Sequence, residues 1–247
     1  MSSSVGNEIP ASSGVALAGT AALVTGASSG IGAATAIAFG QRGARVALVA
    51  RRKDRPDAVG ERIREQGGVA LELEADISDQ DQATGAVQRA VAEFGRLDTL
   101  VNNAGIMLLG PALGSSVEDW EQMVALNVMG SLYVTHAALP HLVSAAENSP
   151  RRVADLVNIS STAGRLARPG AGVYALTKFG LTAFSESLRQ ELIAQRRSPA
   201  RGWNVCCGLG RAGARVPSAP VSAVEVSRPA EDVVSRPARW RPCTRVA

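Results

Sequence analysis

Short apolar runs alternate along the chain with longer stretches of helical period. The runs cover residues 21–25, 46–50, 69–74, 99–102 and 156–159, and the helical stretches cover 31–42, 57–66, 80–94, 117–142 and 173–195. Each run is too short and too continuously apolar for a hairpin strand with one wet face. The pattern predicts buried parallel strands joined by crossover helices. Repeated in this order, they predict an α/β fold, a doubly wound parallel sheet with helices on both faces and ligands at the carboxyl ends of its strands. Residues 1–18, rich in Ser, Gly and Ala, read as a flexible leader.

The pattern breaks near residue 202. From Trp203 onward there is one Leu and no Ile, Phe, Tyr, Met, Lys, His or Gln, while five of the chain's 12 prolines fall there. Strand character is limited to a weak 203–207 and to 221–226. The reading divides the chain into the leader, a sheet domain over 19–201 and a poorly ordered Arg/Pro-rich tail over 202–247, with the C-terminal strands atypical or missing. Two origins fit such a tail. One is a disordered extension. The other is a changed reading frame: only two of 26 basic residues are Lys, as in a GC-rich gene, and such genes read out of frame yield Arg, Pro, Ala and Gly.

Composition narrows the function classes. With 247 residues, 46% hydrophobic and 19% charged, the chain can bury a sizeable core. Aromatics at 4% beside 25 glycines suit a nucleotide-binding α/β domain better than a β-sandwich. Residues 1–201 carry 19 basic and 19 acidic side chains, so the net +4 belongs to the tail, where seven Arg face three acids. That is not a basic face for nucleic acid, and no nucleic-acid partner is expected. Cys206, Cys207 and Cys243 form neither a disulfide framework nor a zinc set. His136 and His141 are too isolated for a metal site and read as structural. Residues 9–41 lack charge, but their Gly, Ser and Thr content argues against a membrane helix. With no signal-like N-terminus, the expectation is a cytoplasmic protein with no membrane partner.

Chemistry concentrates at the predicted strand ends. Thr25-Gly26-Ala27-Ser28-Ser29-Gly30-Ile31-Gly32 joins the first strand to the first helix. Glycines there permit a sharp turn and a close approach of backbone to a pyrophosphate resting on the helix N-terminus. The second strand ends in Ala50-Arg51-Arg52, where an NAD-selective fold places an acid against the ribose 2′-hydroxyl. Arg51 is read as a 2′-phosphate ligand; Arg52 reads equally as a second ligand or as a solvated helix start. The cofactor reading is NADP(H) rather than NAD(H). Asp76, followed by Ile77, either accepts from an adenine amino group or caps the next helix. Asn102-Asn103-Ala104-Gly105 either braces neighbouring loops or caps the fourth strand.

Tyr174 and Lys178 share one face of a helix, in a chain with only two Tyr and two Lys. A free phenol is a poor acid–base catalyst at neutral pH, and a nearby ammonium favours its ionised form. The spacing also fits plain core packing with a snorkelling Lys. Ser161, at the end of the fifth run, adds a hydroxyl able to hydrogen-bond a carbonyl oxygen as charge develops on it, while Ser160 is expected to turn away. Asn127, in an apolar helical run, is either a satisfied buried amide or part of a site.

Taken together, TGASSGIG, NNAG, Asn127, Ser161 and Tyr174-x-x-x-Lys178 resemble the short-chain dehydrogenase/reductase family in its single-domain branch. NNAGIMLLGP, ALPHL and KFGLTAFSESLRQEL look particularly like the bacterial NADP-dependent reductases related to clavaldehyde reductase. The resemblance implies a Rossmann fold and hydride transfer between nicotinamide and a small carbonyl or alcohol substrate. Tyr174 would be the proton donor or acceptor, and Lys178 would bind the nicotinamide ribose. Ser161 would orient substrate and Asn127 would hold a relay water. Ser28, Ser29, Asp76, Ile77, Asn103, Ala104 and Gly105 would join the glycine turn in holding the cofactor. A homo-dimer or homo-tetramer is expected of the family. The family pattern then continues with a strand ending in Pro-Gly, a substrate loop and a seventh strand, but here the region reads GWNVCCGLG. That departure keeps a second reading open, a catalytically impaired cofactor-binding remnant; a sugar-nucleotide epimerase is a third.

Overall fold

In the computed structural model of the chain, residues 16–51, 54–194 and 202–209 are described, with 54–56 and 202–209 carrying no side-chain description. The elements run β1 (Ala21–Thr25), α1 (Gly30–Gln41), β2 (Arg45–Ala50), α2 (Asp54–Glu65), β3 (Val69–Glu74), α3 (Gln80–Phe94) and β4 (Thr99–Asn102). A long helix follows, made of α4 (Val117–Val124), a π-helical turn (Ala125–Gly130) and α5 (Ser131–Asn148). The described part closes with β5 (Val153–Ser160), a 3₁₀ turn (Thr162–Gly164), α6 (Gly172–Ala194) and β6 (Gly202–Leu209). The six strands form one sheet in the order β3-β2-β1-β4-β5-β6. Every pairing is parallel. The order reverses between β1 and β4, which opens a crevice at the carboxyl ends of these two strands.

The apolar runs are explained by burial on both faces. All five residues of β1 are buried, and the two-residue period divides the core. Leu23, Val49 and Leu73 pack with Val87 of α3, Val134 and Leu142 of α5 and Leu188 of α6. Val24, Val46 and Leu48 face the other way, onto Ala36 of α1 and Val59 and Ile63 of α2. At the amino ends of the strands, the fully buried Asp98 accepts from the Ala21 amide at 2.9 Å and from Arg96 at 2.7 and 2.8 Å. This fixes β1 beside β4 on the side opposite the crevice.

Three expectations are corrected. The helix expected at 117–142 extends to Asn148 and contains the π turn, because hydrophobic period does not register one extra residue in a turn. The uninterrupted stretch Val117–Asn148 is long and apolar enough to cross a membrane; here Val134, Ala138 and Leu142 are buried in the core beside α3. The leader does not reach residue 18: Leu17 packs on the second core cluster, donates its amide to Arg42 O at 2.9 Å and accepts from Thr20. The sheet does not stop at 201. β6 pairs with β5 over eight residues, from Val153↔Gly202 to Ser160↔Leu209, so a weakly strand-like sequence forms a strand where a ready edge supplies its backbone partners. The rest of the tail reading, 210–247, and the leader 1–15 lie outside the described residues.

Candidate active site

The Gly-rich segment leaves β1 and turns into α1 at the crevice. Gly26 has φ +63°, and a Cβ at Gly32 would stand 2.3 Å from the Gly26 carbonyl oxygen and 2.5 Å from Asn103 Nδ2. Glycine is therefore required by close packing at Gly32 and by left-handed backbone at Gly26. Asn103 resolves its two readings in favour of bracing: Nδ2 donates to Thr25 O at 3.0 Å and Gly26 O at 3.2 Å. Thr25 Oγ1 accepts the amides of Asn103 and Ala104 at 3.0 and 3.1 Å. The first turn of α1 carries no acid, and Ser29 makes no side-chain cap. Its free amides and the helix dipole therefore suit an anion.

A cavity of about 410 Å³ lies here. Gly26, Ser28, Ser29 and Ile31 line it from the turn, Ala50 and Arg51 from the end of β2, Ile77 from beyond β3, and Asn103, Ala104 and Gly105 from beyond β4. Gly30 and Gly32 shape the turn without lining the cavity. Arg51 is exposed, and the carboxylate expected of an NAD-selective strand end is absent at Ala50. Arg52 lies outside the described residues. Asp76 is not among the lining residues: its Oδ1 accepts from the amide and hydroxyl of Ser78 at 3.0 and 2.7 Å. Nor does it cap α3, a role taken by Asp79, which accepts from the Gln82 amide at 2.9 Å. The glycine cradle and the uncapped helix start suit the phosphates of a dinucleotide.

Two of the other four residues, Asn127 and Lys178, stand beside this cavity. A Cβ on Gly105, a cavity-lining residue, would lie 3.1 Å from Asn127 Oδ1 and 3.6 Å from Lys178 Nζ. Lys178 is 5% exposed, donates to Ile159 O at 2.8 Å and holds its ammonium 5.9 Å from the Tyr174 ring centre. Ser161 follows β5 and caps the 3₁₀ turn, accepting from the Ala163 amide at 3.2 Å. That turn packs on α6, and Ser160 points to it, donating to Lys178 O at 3.3 Å, so Ser160 is turned away as expected. Asn127 is a satisfied amide as well as a site neighbour. Its Oδ1 accepts from Ile106 N and its Nδ2 donates to Ile106 O, both at 2.8 Å. Its remaining N–H goes to Thr177 Oγ1 at 3.3 Å. Its side-chain donors are thus spent on protein, and the expected water-holding role does not use them. His136 is exposed rather than packed.

Sequence reasoning missed Ile106, Leu126, Thr177 and the part played by the Thr25 hydroxyl. Leu126 and Ile106 line the cavity, yet as apolar residues they carry no signal apart from core. Thr25 and Thr177 act through hydroxyl bonds to partners remote in sequence.

Comparison with known proteins agrees with this geometry. The family model described as short chain dehydrogenase matches residues 20–215. Glycine betaine reductase of Emericella nidulans is 38% identical over 179 residues, 72% of this chain and 14% of that much longer protein. A metagenomic short-chain oxidoreductase solved in complex with NADP superposes with a TM-score of 0.67 at 34% identity, covering 72% of this chain and 79% of that one. A short chain dehydrogenase/reductase from Burkholderia phymatum, solved in complex with NAD, gives 0.70 at 27% identity over 77% and 64% of the two chains. The matches fix the family rather than the branch.

Proposed function

The chain belongs to the short-chain dehydrogenase/reductase family, and on that footing we propose that it is an NADP(H)-dependent oxidoreductase interconverting a small carbonyl compound and its alcohol. The observation that carries this reading is Gly105, which lines the cavity at the strand ends and also lies against Asn127 and Lys178. The cofactor cradle and the lysine beside the phenol thus share a wall. When bound, the nicotinamide supplies or accepts the hydride. Tyr174, one helical turn from the buried ammonium of Lys178, gives or takes the proton on the substrate oxygen. Ser161 Oγ donates to that oxygen as charge builds on it. Lys178, anchored by Ile159 O, faces the cofactor side and offsets negative charge there.

NADP(H) is preferred in this reading because Ala50 removes the repelling carboxylate and Arg51 brings a guanidinium to the cavity rim. One related structure holds NADP and another NAD, so relatives leave the choice to these residues. A cytoplasmic homo-oligomer is part of the same proposal. The test is a panel of aldehydes, ketones and alcohols assayed with each cofactor by absorbance. NADPH-dependent turnover supports the reading; cofactor binding without turnover of any member points to the impaired remnant instead.

A further inference from the structure

The hydroxyl between the two members of the acid–base pair has a partner outside its own helix. Thr177 is fully buried and donates to Tyr174 O at 2.8 Å, while its oxygen accepts the Asn127 amide at 3.3 Å. A threonine bonded to the carbonyl three residues back is common in helices and implies nothing alone. Here the acceptor side of the same oxygen is held from the π turn, by an amide whose other groups grip Ile106. The series Ile106–Asn127–Thr177–Tyr174 therefore ties the loop after β4 to the first turn of α6, the turn that carries the phenol.

We propose that Thr177 is a positioning residue, whose hydroxyl fixes the rotation of the first turn of α6 and so the aim of Tyr174. The proposal rests on the redox reading above. Without the hydroxyl, Asn127 keeps a buried N–H that has lost its acceptor, and the turn loses this side-chain tie to the π segment. Misplacing a reacting group by about 1 Å costs roughly a hundredfold in rate, so a smaller displacement should cost about tenfold or more.

Thr177→Val keeps the shape and removes the hydroxyl; Thr177→Ser restores it; Thr177→Ala repeats the test should Val fail to fold. Ser185→Ala is the control, since it breaks another buried bond on the same helix, the 2.8 Å bond from Asn158 Nδ2. The expected result is a kcat reduced about tenfold or more in Val, with KM and NADPH affinity held, recovery in Ser, and no comparable loss in Ser185→Ala. An unchanged kcat in Val, no recovery in Ser, or an equal loss in the control would overturn the proposal. A second readout does not need turnover. The chain has two tyrosines, so ¹³Cζ-labelled protein gives two signals, assigned with Tyr133→Phe. If the wild type turns over nothing, the redox reading fails, yet this signal still decides. A Tyr174 signal displaced in Val and restored in Ser upholds the positioning role, and an unmoved one overturns it.

Discussion

Asn127 holds Ile106 by both of its backbone polar groups, accepting from the amide and donating to the carbonyl at 2.8 Å each. The pair pins the loop after β4, which lines the cofactor cavity, to a π turn of the helix behind it. Extra backbone in that turn carries the amide to the loop. Asn127→Ala should lower stability by about 1–3 kcal/mol, the cost of leaving such groups unpaired. Asn127→Asp should cost more, because it sets an acceptor against Ile106 O and Thr177. Urea unfolding measures both; an alanine variant as stable as wild type would remove the clamp from the account.

The proposed cofactor preference rests on the end of β2. Arg51 pairing with a 2′-phosphate is worth on the order of 1.5–3 kcal/mol, so NADPH should bind at least about tenfold more tightly than NADH. Arg51→Asp should reverse the order. Fluorescence titration of both cofactors checks this, and tighter NADH binding by the wild type would contradict it.

Much of the fold was legible because buried parallel strands and amphipathic helices leave strong periodic signals. The runs at 21–25, 69–74 and 99–102 coincide with β1, β3 and β4, and 80–94 with α3. β6 was nearly invisible: Gly202–Leu209 carries little apolar pattern, and the strand owes its place to the edge of β5. At the site, glycine spacing and the Tyr174–Lys178 pair were readable because they are local. The capping alternative for Asp76 failed because an aspartate before a helix looks alike whether it caps the helix or holds a serine two residues on. Thr177 was unreadable, since its partner is 50 residues away.

On the outer face of α6, hydrogen bonds from Arg189 and then Gln190 hold the Glu186 carboxyl down to about 2, below its ordinary 4.5. A depressed acid stabilises the fold above its unfolded value, and that contribution fades as pH falls from 4.5 towards 2. The Arg189 and Glu186 side chains are 41% and 52% exposed, so solvent screening limits the effect to at most about 0.5 kcal/mol. Glu186→Gln should therefore melt slightly below wild type near neutral pH and together with it near pH 2. A gap that persists in acid would contradict the assignment.

Apolar side chains also stand exposed on the two long helices. Leu176 is 64% and Phe179 42% exposed on α6, with Val124 and Val143 at 36% and 38% on the helix beside it. Leu176 and Phe179, on one side of α6, suit contact with a second copy of the chain. Light scattering should give the mass of a dimer or tetramer, and Leu176→Glu with Phe179→Glu should reduce it to a monomer. A monomeric wild type at micromolar concentration would exclude this surface as an oligomer contact.

In the proposed reaction Tyr174 moves the substrate proton beside a cofactor cavity it does not line. The most direct measurement pairs NADPH-dependent carbonyl turnover with NADPH affinity in the wild type and in Tyr174→Phe. The expected result is an active wild type and a Phe variant that binds NADPH with nearly unchanged affinity and turns over no substrate. A Phe variant that keeps most of the wild-type rate, or that loses NADPH binding together with turnover, would contradict it.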